Sequence, residues 1–431
     1  MRSKEKGTLS RIHWLLSTIA SMGVFLDGYD LSVISFSVIL IAQTFNFTER
    51  SNPLIYGLVL SSALIGMALG GFSFGYFSDK LGRKAVFAID LLFFIVFAGL
   101  SSIATSVYWL IVARLLMGVG IGADYPISSS LISELSPAKK RGMLLMFGIM
   151  FYWLGTMLAG IVNYFSLSLG ASLSWRVALA AGALIAVPVV IARGYMPESA
   201  RWLYAKHKNE EAEKVEKRLS LRVGKQTEYE TRELFGKYAR QFAFVAIAWF
   251  SFDIGSYGLG FYTSTLYKAY GISNLHAIAL FTVLTAPFPI LSYVLLMRLL
   301  DKKGRKTPSI VGFAIMAVVL LLVEPLIKLN VYLLLPLFII FAFFEQWPGG
   351  ILSFAYSVEL FPTSIRGFSQ GLATSISRIG ALLGVLLFPV LAVLGLFYAT
   401  CFFAAFVLLA LVVTVLLAPE TKSKTLEELS S

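Results

Sequence analysis

Apolar runs long enough to cross a lipid bilayer recur along the chain, and nothing constrains its fold more. A spanning helix needs roughly 20 apolar residues. Runs of that length read near 12–43, 54–77, 85–105, 108–133, 143–166 and 175–195. After a longer polar stretch come 241–268, 275–298, 308–328, 331–357, 368–394 and 396–418. The pattern predicts an all-α membrane protein with twelve transmembrane helices. Composition agrees: 58% of the 431 residues are hydrophobic and 14% charged, where soluble domains average about 25% charged. A soluble fold of this chain would leave large apolar patches outside. Arg2, Lys4, Lys6 and Arg11 precede the first run as they would in a signal peptide. That run is too long for one, carries two aspartates and lacks a small-residue cleavage site, so a retained helix is expected.

The net charge of +12 is compatible with nucleic acid, an anionic membrane surface or an anionic substrate. Its distribution decides. With the N-terminus in the cytoplasm and the helices alternating, 30 of the 36 Lys and Arg face inward. Four face outward (Arg50, Arg176, Lys268, Lys328), and Arg114 and Arg378 lie inside helices. The positive-inside rule then puts both termini in the cytoplasm of a multi-pass plasma-membrane protein, with no role for nucleic acid. The expected organisation is a six-helix bundle over 1–195, a cytoplasmic linker over 196–240 and a second bundle over 241–431. The linker mixes acids and bases at helical spacing and reads as a solvated helix.

The halves repeat at polar points. Asp79-Lys-Leu-Gly-Arg-Lys84 returns as Asp301-Lys-Lys-Gly-Arg-Lys306 at an offset of 222. Glu134-Leu-Ser-Pro, ending in Arg141-Gly142, returns as Glu359-Leu-Phe-Pro, ending in Arg366-Gly367, at 225. Two pseudo-symmetric six-helix bundles follow. Gly75, Asp79, Arg83, Glu134, Arg141, Asp301, Arg305, Glu359 and Arg366 are expected to form a cytoplasmic gate of charge-assisted bonds that closes in one state and opens in another. The plain alternative is positive charge that sets topology alone.

Ionisable groups within spans are costly and line water-filled paths or pair with one another. Asp27, Asp30, Arg114 and Asp124 are the expected proton-coupling set, since an isolated buried carboxyl takes up a proton unless water or a cation reaches it. Asp27 and Asp30 share one helix face, and Arg114 is expected to compete for Asp30. A static buried salt bridge is the competing explanation. Asp90 reads as interfacial, and Glu324 as a snorkelling helix-end residue. Subtracting 223 from 253 places Asp253 on Asp30, so each half carries an acid in its first helix. Trp249, Asp253 and Tyr257, spaced by four, line one face of the seventh helix.

These residues resemble the major facilitator superfamily across essentially the whole chain. Gly75-x-x-x-Asp79-Lys-x-Gly82-Arg83-Lys84 is similar to its loop 2–3 signature. Pro197-Glu198-Ser-Ala-Arg201-Trp202-Leu203 and Pro419-Glu420-Thr421-Lys422 resemble the sugar-transporter-type branch. Within it, Asp27-Gly-Tyr-Asp30, Gly120-Ile-Gly-Ala-Asp124-Tyr125-Pro126 and Trp249…Asp253…Tyr257 resemble phosphate–proton symporters most. The resemblance implies proton roles for a helix-1 aspartate and Asp124, and substrate contacts from Tyr125, Trp249, Asp253 and Tyr257. Tyr152 stands where those symporters have a glutamine, the Glu345-Gln-Trp-Pro-Gly-Gly350 segment offers glycine for their asparagine, and Arg378 replaces their lysine. The amide run of sugar porters is missing from the seventh helix, and the proline-bearing glycine motif of drug antiporters from the fifth.

The expectation is therefore a prokaryotic secondary transporter, a monomer, taking up a small anion (phosphate or an organic acid) with protons by alternating access. Sugar ranks second as substrate and drug export last. A nutrient sensor is disfavoured by the short tail after the twelfth helix. An enzyme is disfavoured because no nucleophile–base pair, phosphate-cradling motif or metal constellation appears. No cofactor or metal is expected: one cysteine and three scattered histidines supply no ligand spacing, and Cys401 reads as a packed hydrophobe.

Overall fold

The computed structural model describes residues 9–49, 51–221, 223, 230–262 and 274–430. Among them are twelve helices long and apolar enough to span a membrane. They are α1 (Arg11–Thr44), α2 (Pro53–Leu81), α3 (Arg83–Ser102), α4 (Val107–Glu134), α5 (Ala138–Leu169), α6 (Ala171–Arg193), α7 (Ala239–Gly260), α8 (Leu275–Lys303), α9 (Lys306–Leu329), α10 (Leu334–Glu359), α11 (Arg366–Leu394) and α12 (Leu396–Leu417). They form the two pseudo-symmetric six-helix bundles expected from the repeat. The basic residues Arg2, Lys4, Lys6, Arg50, Arg222, Lys225 and Lys268, and the end of the 241–268 run, lie outside the described residues.

Glycines bring helices close in the first bundle. A Cβ on Gly118 of α4 would lie 2.1 Å from the Ala63 carbonyl oxygen of α2, and one on Gly66 of α2 1.9 Å from the Leu115 oxygen. The two backbones therefore touch, as packing within a bilayer favours. The two bundles meet in the same way: a Cβ on Gly371 of α11 would lie 2.1 Å from the Gly71 oxygen of α2. Gly28 leaves room for the Tyr152 backbone, fixing α1 against α5.

Proline shapes α10. Pro348 has no N–H to give and stands inside the helix, and the chain relaxes over Ile351–Tyr356 into a π-turn. Gly349 and Ser353, on either side of that change, face the central cavity.

The stretch after α6 exposes the acids and bases of its helix, but part of it docks on the first bundle. Short helices run over Ala200–Ala205 and Asn209–Leu219. Trp202, Leu203 and Ala212 form a small core of their own. The Trp202 indole donates to the Asp79 carbonyl at 2.9 Å, so this segment docks on the α2–α3 turn.

Gly118→Val should lower the melting temperature of the purified protein, since overpacking costs about 1–3 kcal/mol. A Cβ on Gly99 of α3 meets nothing within 4 Å, and Gly99→Val should leave melting unchanged.

Candidate functional site

Two sites emerge, a charged latch at one end and a central cavity. The latch draws on the ends of α2, α4, α8 and α10 and the starts of α3, α5, α9 and α11. Arg83 pairs with Asp79 at 2.9 Å and reaches Glu134 at 3.5 Å. Arg366 of the second half pairs with Glu134 of the first. The reciprocal pair joins Arg141 of the first half to Glu359 of the second at 2.9 Å, and Arg305 adds a contact to Glu359 at 2.8 Å. Each half thus lends an arginine to the other half's glutamate, in buried positions where such pairs are short and directional. Burial alone would lower the pKa of Arg305; Glu359, Glu420 and Asp301 around it outweigh this and hold it raised.

The repeat is not kept throughout. Asp79 accepts from the Gly367 and Phe368 amides at 3.0 and 2.8 Å, placing a carboxylate on the N-terminus of α11. Its counterpart Asp301 stands at the rim, 3.9 Å from a partly exposed Lys140. Gly75 serves by absence: a Cβ there would lie 2.5 Å from the Gly367 oxygen. Sequence reasoning quoted Glu198 and Glu420 within the branch motifs but left them out of the gate. Glu198 accepts from the Arg83 and Lys84 amides, both at 3.1 Å, and Glu420 from Arg305 and Lys306 at 3.0 and 3.3 Å. They are 222 apart, the offset of the Asp79 and Asp301 motifs, and that coincidence was legible.

The cavity has a volume of about 240 Å³ and lies between the bundles. Tyr125, Tyr152, Trp249, Asp253, Tyr257, Glu345 and Arg378 all line it. Arg378 is buried, 2.5 Å from the Tyr257 hydroxyl and 3.2 Å from Asp253. Its guanidinium lies 4.9 Å from the Tyr125 ring centroid, 5.0 Å from that of Tyr257 and 5.9 Å from that of Trp249. The outcome is one cation in an aromatic box. Glu345 accepts from Ser256. Gln346, not anticipated from sequence, accepts from the Trp153 indole at 2.7 Å.

The four anticipated coupling residues lie outside the cavity lining and do not form one cluster. Arg114 makes a two-pronged pair with Asp30, at 3.1 and 2.8 Å. Asp124 pairs with Arg193 at 2.5 Å. Asp27 is buried, with neither carboxyl oxygen hydrogen-bonded. Asp90, which the expected coupling set leaves out, is 1% exposed and bonded to Arg193 at 2.7 Å. Arg193, counted from sequence among the basic residues of the soluble stretch, is 3% exposed at the end of α6. Its position after a long apolar run resembled any loop cation, so no signal set it apart.

A twelve-helix bundle that encloses a ligand-sized cavity and bolts one end with charges is a membrane transporter with the major facilitator fold. A family model described as "Sugar (and other) transporter" matches residues 16–431, and the chain belongs to that family. It is 30% identical to the putative metabolite transport protein YaaU of Escherichia coli, over 98% of this chain and 95% of that protein. It is 28% identical to the putative niacin/nicotinamide transporter NiaP of Bacillus subtilis, over 95% and 96%. Among solved structures, the proton:xylose symporter XylE bound to 6-bromo-6-deoxy-D-glucose superposes with a TM-score of 0.85 at 23% identity, over 97% of this chain and 98% of that one.

Removing one partner of a buried ion pair costs about 3–5 kcal/mol. With Cys401 replaced by Ala and a cysteine placed at Ser353, Arg366→Gln should speed labelling by a thiol reagent applied from the latch side at least tenfold. Asp301→Asn, at the rim, should change that rate less than about twofold.

Proposed function

We propose that this transporter carries a small organic anion with an unsaturated or aromatic body, coupled to protons, into the cell through the plasma membrane. The carrying observation is Arg378, buried in the cavity among Tyr125, Trp249 and Tyr257. A carboxylate is the natural partner of a guanidinium, and a flat apolar body the natural partner of the rings beside it. Within the cavity Asp253 sits on Arg378 at 3.2 Å. An entering carboxylate would displace Asp253, which then needs a proton in place of its cation. A niacin transporter among the relatives supports this chemistry, since niacin is a small aromatic carboxylate.

On this reading Asp30, Asp27 and Asp124 exchange protons. Arg114, held by both oxygens of Asp30, is released when Asp30 is protonated. The latch end is cytoplasmic by the charge asymmetry, so both termini face the cytoplasm. With the latch shut, the cavity loads from outside; opening the latch releases substrate and proton inside. The domain boundaries near 195 and 240 mark the two bodies that would rock about the cavity.

A sugar is the second reading. The hydroxyls of Ser32, Thr156, Thr282 and Thr285 line the cavity and suit a polyol. The fold shared with a xylose symporter is compatible with it.

Thermal shift of purified protein separates the two, because a ligand stabilises the state it binds. Niacin should raise the melting temperature and xylose should not; Arg378→Gln should remove the niacin response. Stabilisation by xylose alone would sink the anion reading. In proteoliposomes, an imposed inward proton gradient should drive niacin accumulation, and Asp30→Asn should reduce it about tenfold or more. Uptake indifferent to the gradient in wild type would end the coupling claim.

A further inference from the structure

The acids assigned to coupling are spread along the first bundle, not gathered at one depth. Arg114 and Asp124 are ten residues apart on α4, about 15 Å along its axis at 1.5 Å per residue. Asp30 sits beside Arg114, and Asp27 lies about one turn closer to the latch end. Asp124 lies lower still, and beyond it stands a group that the transport reading leaves without a task. One nitrogen of Arg193 is 2.7 and 2.9 Å from the two oxygens of Asp90 and 2.8 Å from the Phe87 carbonyl. The other is 2.5 Å from Asp124. The guanidinium rests 3.5 Å from the Phe87 ring centroid. A Cβ on Gly23 of α1 would lie 1.9 Å from one Asp124 oxygen and 2.1 Å from an Arg193 nitrogen. The first helix is therefore bare where this clamp closes.

We propose that Arg193 is a positioning residue for proton release: shared between Asp90 and Asp124, it stabilises the carboxylate that Asp124 becomes when its proton leaves toward the latch end. This rests on the proton-coupled reading above. Two buried carboxyls, Asp90 and Asp124, share this one guanidinium, while Asp30 holds Arg114. One cation does not keep two anions equally stable out of water. The charged groups around Asp124 are Arg193 from α6, Asp90 from α3 through that arginine, and Asp27 from α1 about one turn beyond Gly23, with the Ser128 hydroxyl donating at 3.0 Å from its own helix. Arg378 of α11 acts on Asp27 from the cavity side.

The proton's route is then defined. It arrives on Asp27, the acid with no hydrogen-bond partner, and passes to Asp124 by way of water that enters between them. The Asp124 O–H bond breaks as the latch opens, the proton goes to water, and the electron pair stays on the carboxylate beside Arg193. While Asp124 is protonated, Asp90 keeps Arg193 paired, so the cation never stands alone. Asp90 is thus a parking place for Arg193, and Arg193 a counter-ion that decides when Asp124 lets go.

Infrared spectra of the purified full chain report protonated carboxyls directly, and Asp124→Asn identifies the share of the band due to Asp124. In Arg193→Gln that share should persist to a pH about one unit higher or more, a tenfold change in proton affinity. In Asp90→Asn, which leaves Arg193 to Asp124 alone, it should vanish at lower pH. Arg193→Lys should restore wild-type behaviour in part. Shifts of the same sign in Arg193→Gln and Asp90→Asn, or none in either, would overturn the proposal. If Arg193→Gln does not fold, Asp90→Asn decides by itself, and an unchanged or raised midpoint refutes the role. Opposite shifts together with wild-type uptake that ignores the proton gradient would keep this assignment and remove the coupling reading. Gradient-driven uptake with unshifted bands would do the reverse.

Discussion

The exchange of arginines between the two halves is the interaction on which the rest depends. Glu134 is held by Arg366 from across the interface, and Glu359 by Arg141. Each glutamate also carries an arginine of its own half, Arg83 or Arg305. Neither half can move away without leaving buried charge unpaired, and that penalty makes the closed state discrete instead of graded. Any event that opens this end has to compete with this energy. The latch must therefore be strong enough to exclude water and weak enough to be broken by events in the cavity. Contacts that water can reach as soon as the halves part meet both demands.

Close backbone packing supplies the stiffness that such a latch requires. Gly71 and Gly75 of α2 face Gly367 and Gly371 of α11, so the halves touch through backbone along the same line that the charges bolt. A small-residue seam can open and reseat without repacking large side chains. The π-turn of α10 has a related use. It sits where Pro348 interrupts the hydrogen-bond ladder, next to the cavity and only a turn or two above Glu359. One short stretch of helix thus joins the cavity wall to the latch.

The fold was legible because bilayer physics is simple. Length and apolarity place spanning helices, and Lys and Arg counts orient them. The latch was legible because a repeat states its own alignment, as Glu134 and Glu359 did. The cavity face was legible in part: Trp249, Asp253 and Tyr257 announced themselves by spacing, and all three line the cavity. What sequence could not supply was pairing in space. Arg193 and Asp90 are 103 residues apart, and neither carries a pattern that points to the other. The partner that Asp124 finds in Arg193 was hidden for the same reason. The soluble stretch misled differently, since Trp202 was quoted within a motif but its docking on Asp79 needs the turn geometry.

Where the repeat fails, the two halves have taken on different work. At an offset of 222, Asp90 meets Gly312, Asp124 meets Gln346 and Arg193 meets Val415; at 223, Arg114 meets Leu337. Among the described residues the Asp90–Arg193–Asp124 clamp has no equivalent in the second half, whereas Asp253, the counterpart of Asp30, takes its arginine from a different helix of its half. In the second half the cavity cation Arg378 stands where, at 225, the first half has Trp153. Symmetry is kept at the glutamate–arginine pairs of the latch, though not at Asp79 and Asp301, and at the paired acids Asp30 and Asp253. It is lost in the interiors. On the proposed reading the buried carboxyls of the first bundle serve protons and Arg378 of the second serves an anion. Asp253, paired with Arg378 at 3.2 Å, is then the acid through which occupancy by one cargo would be felt by the other.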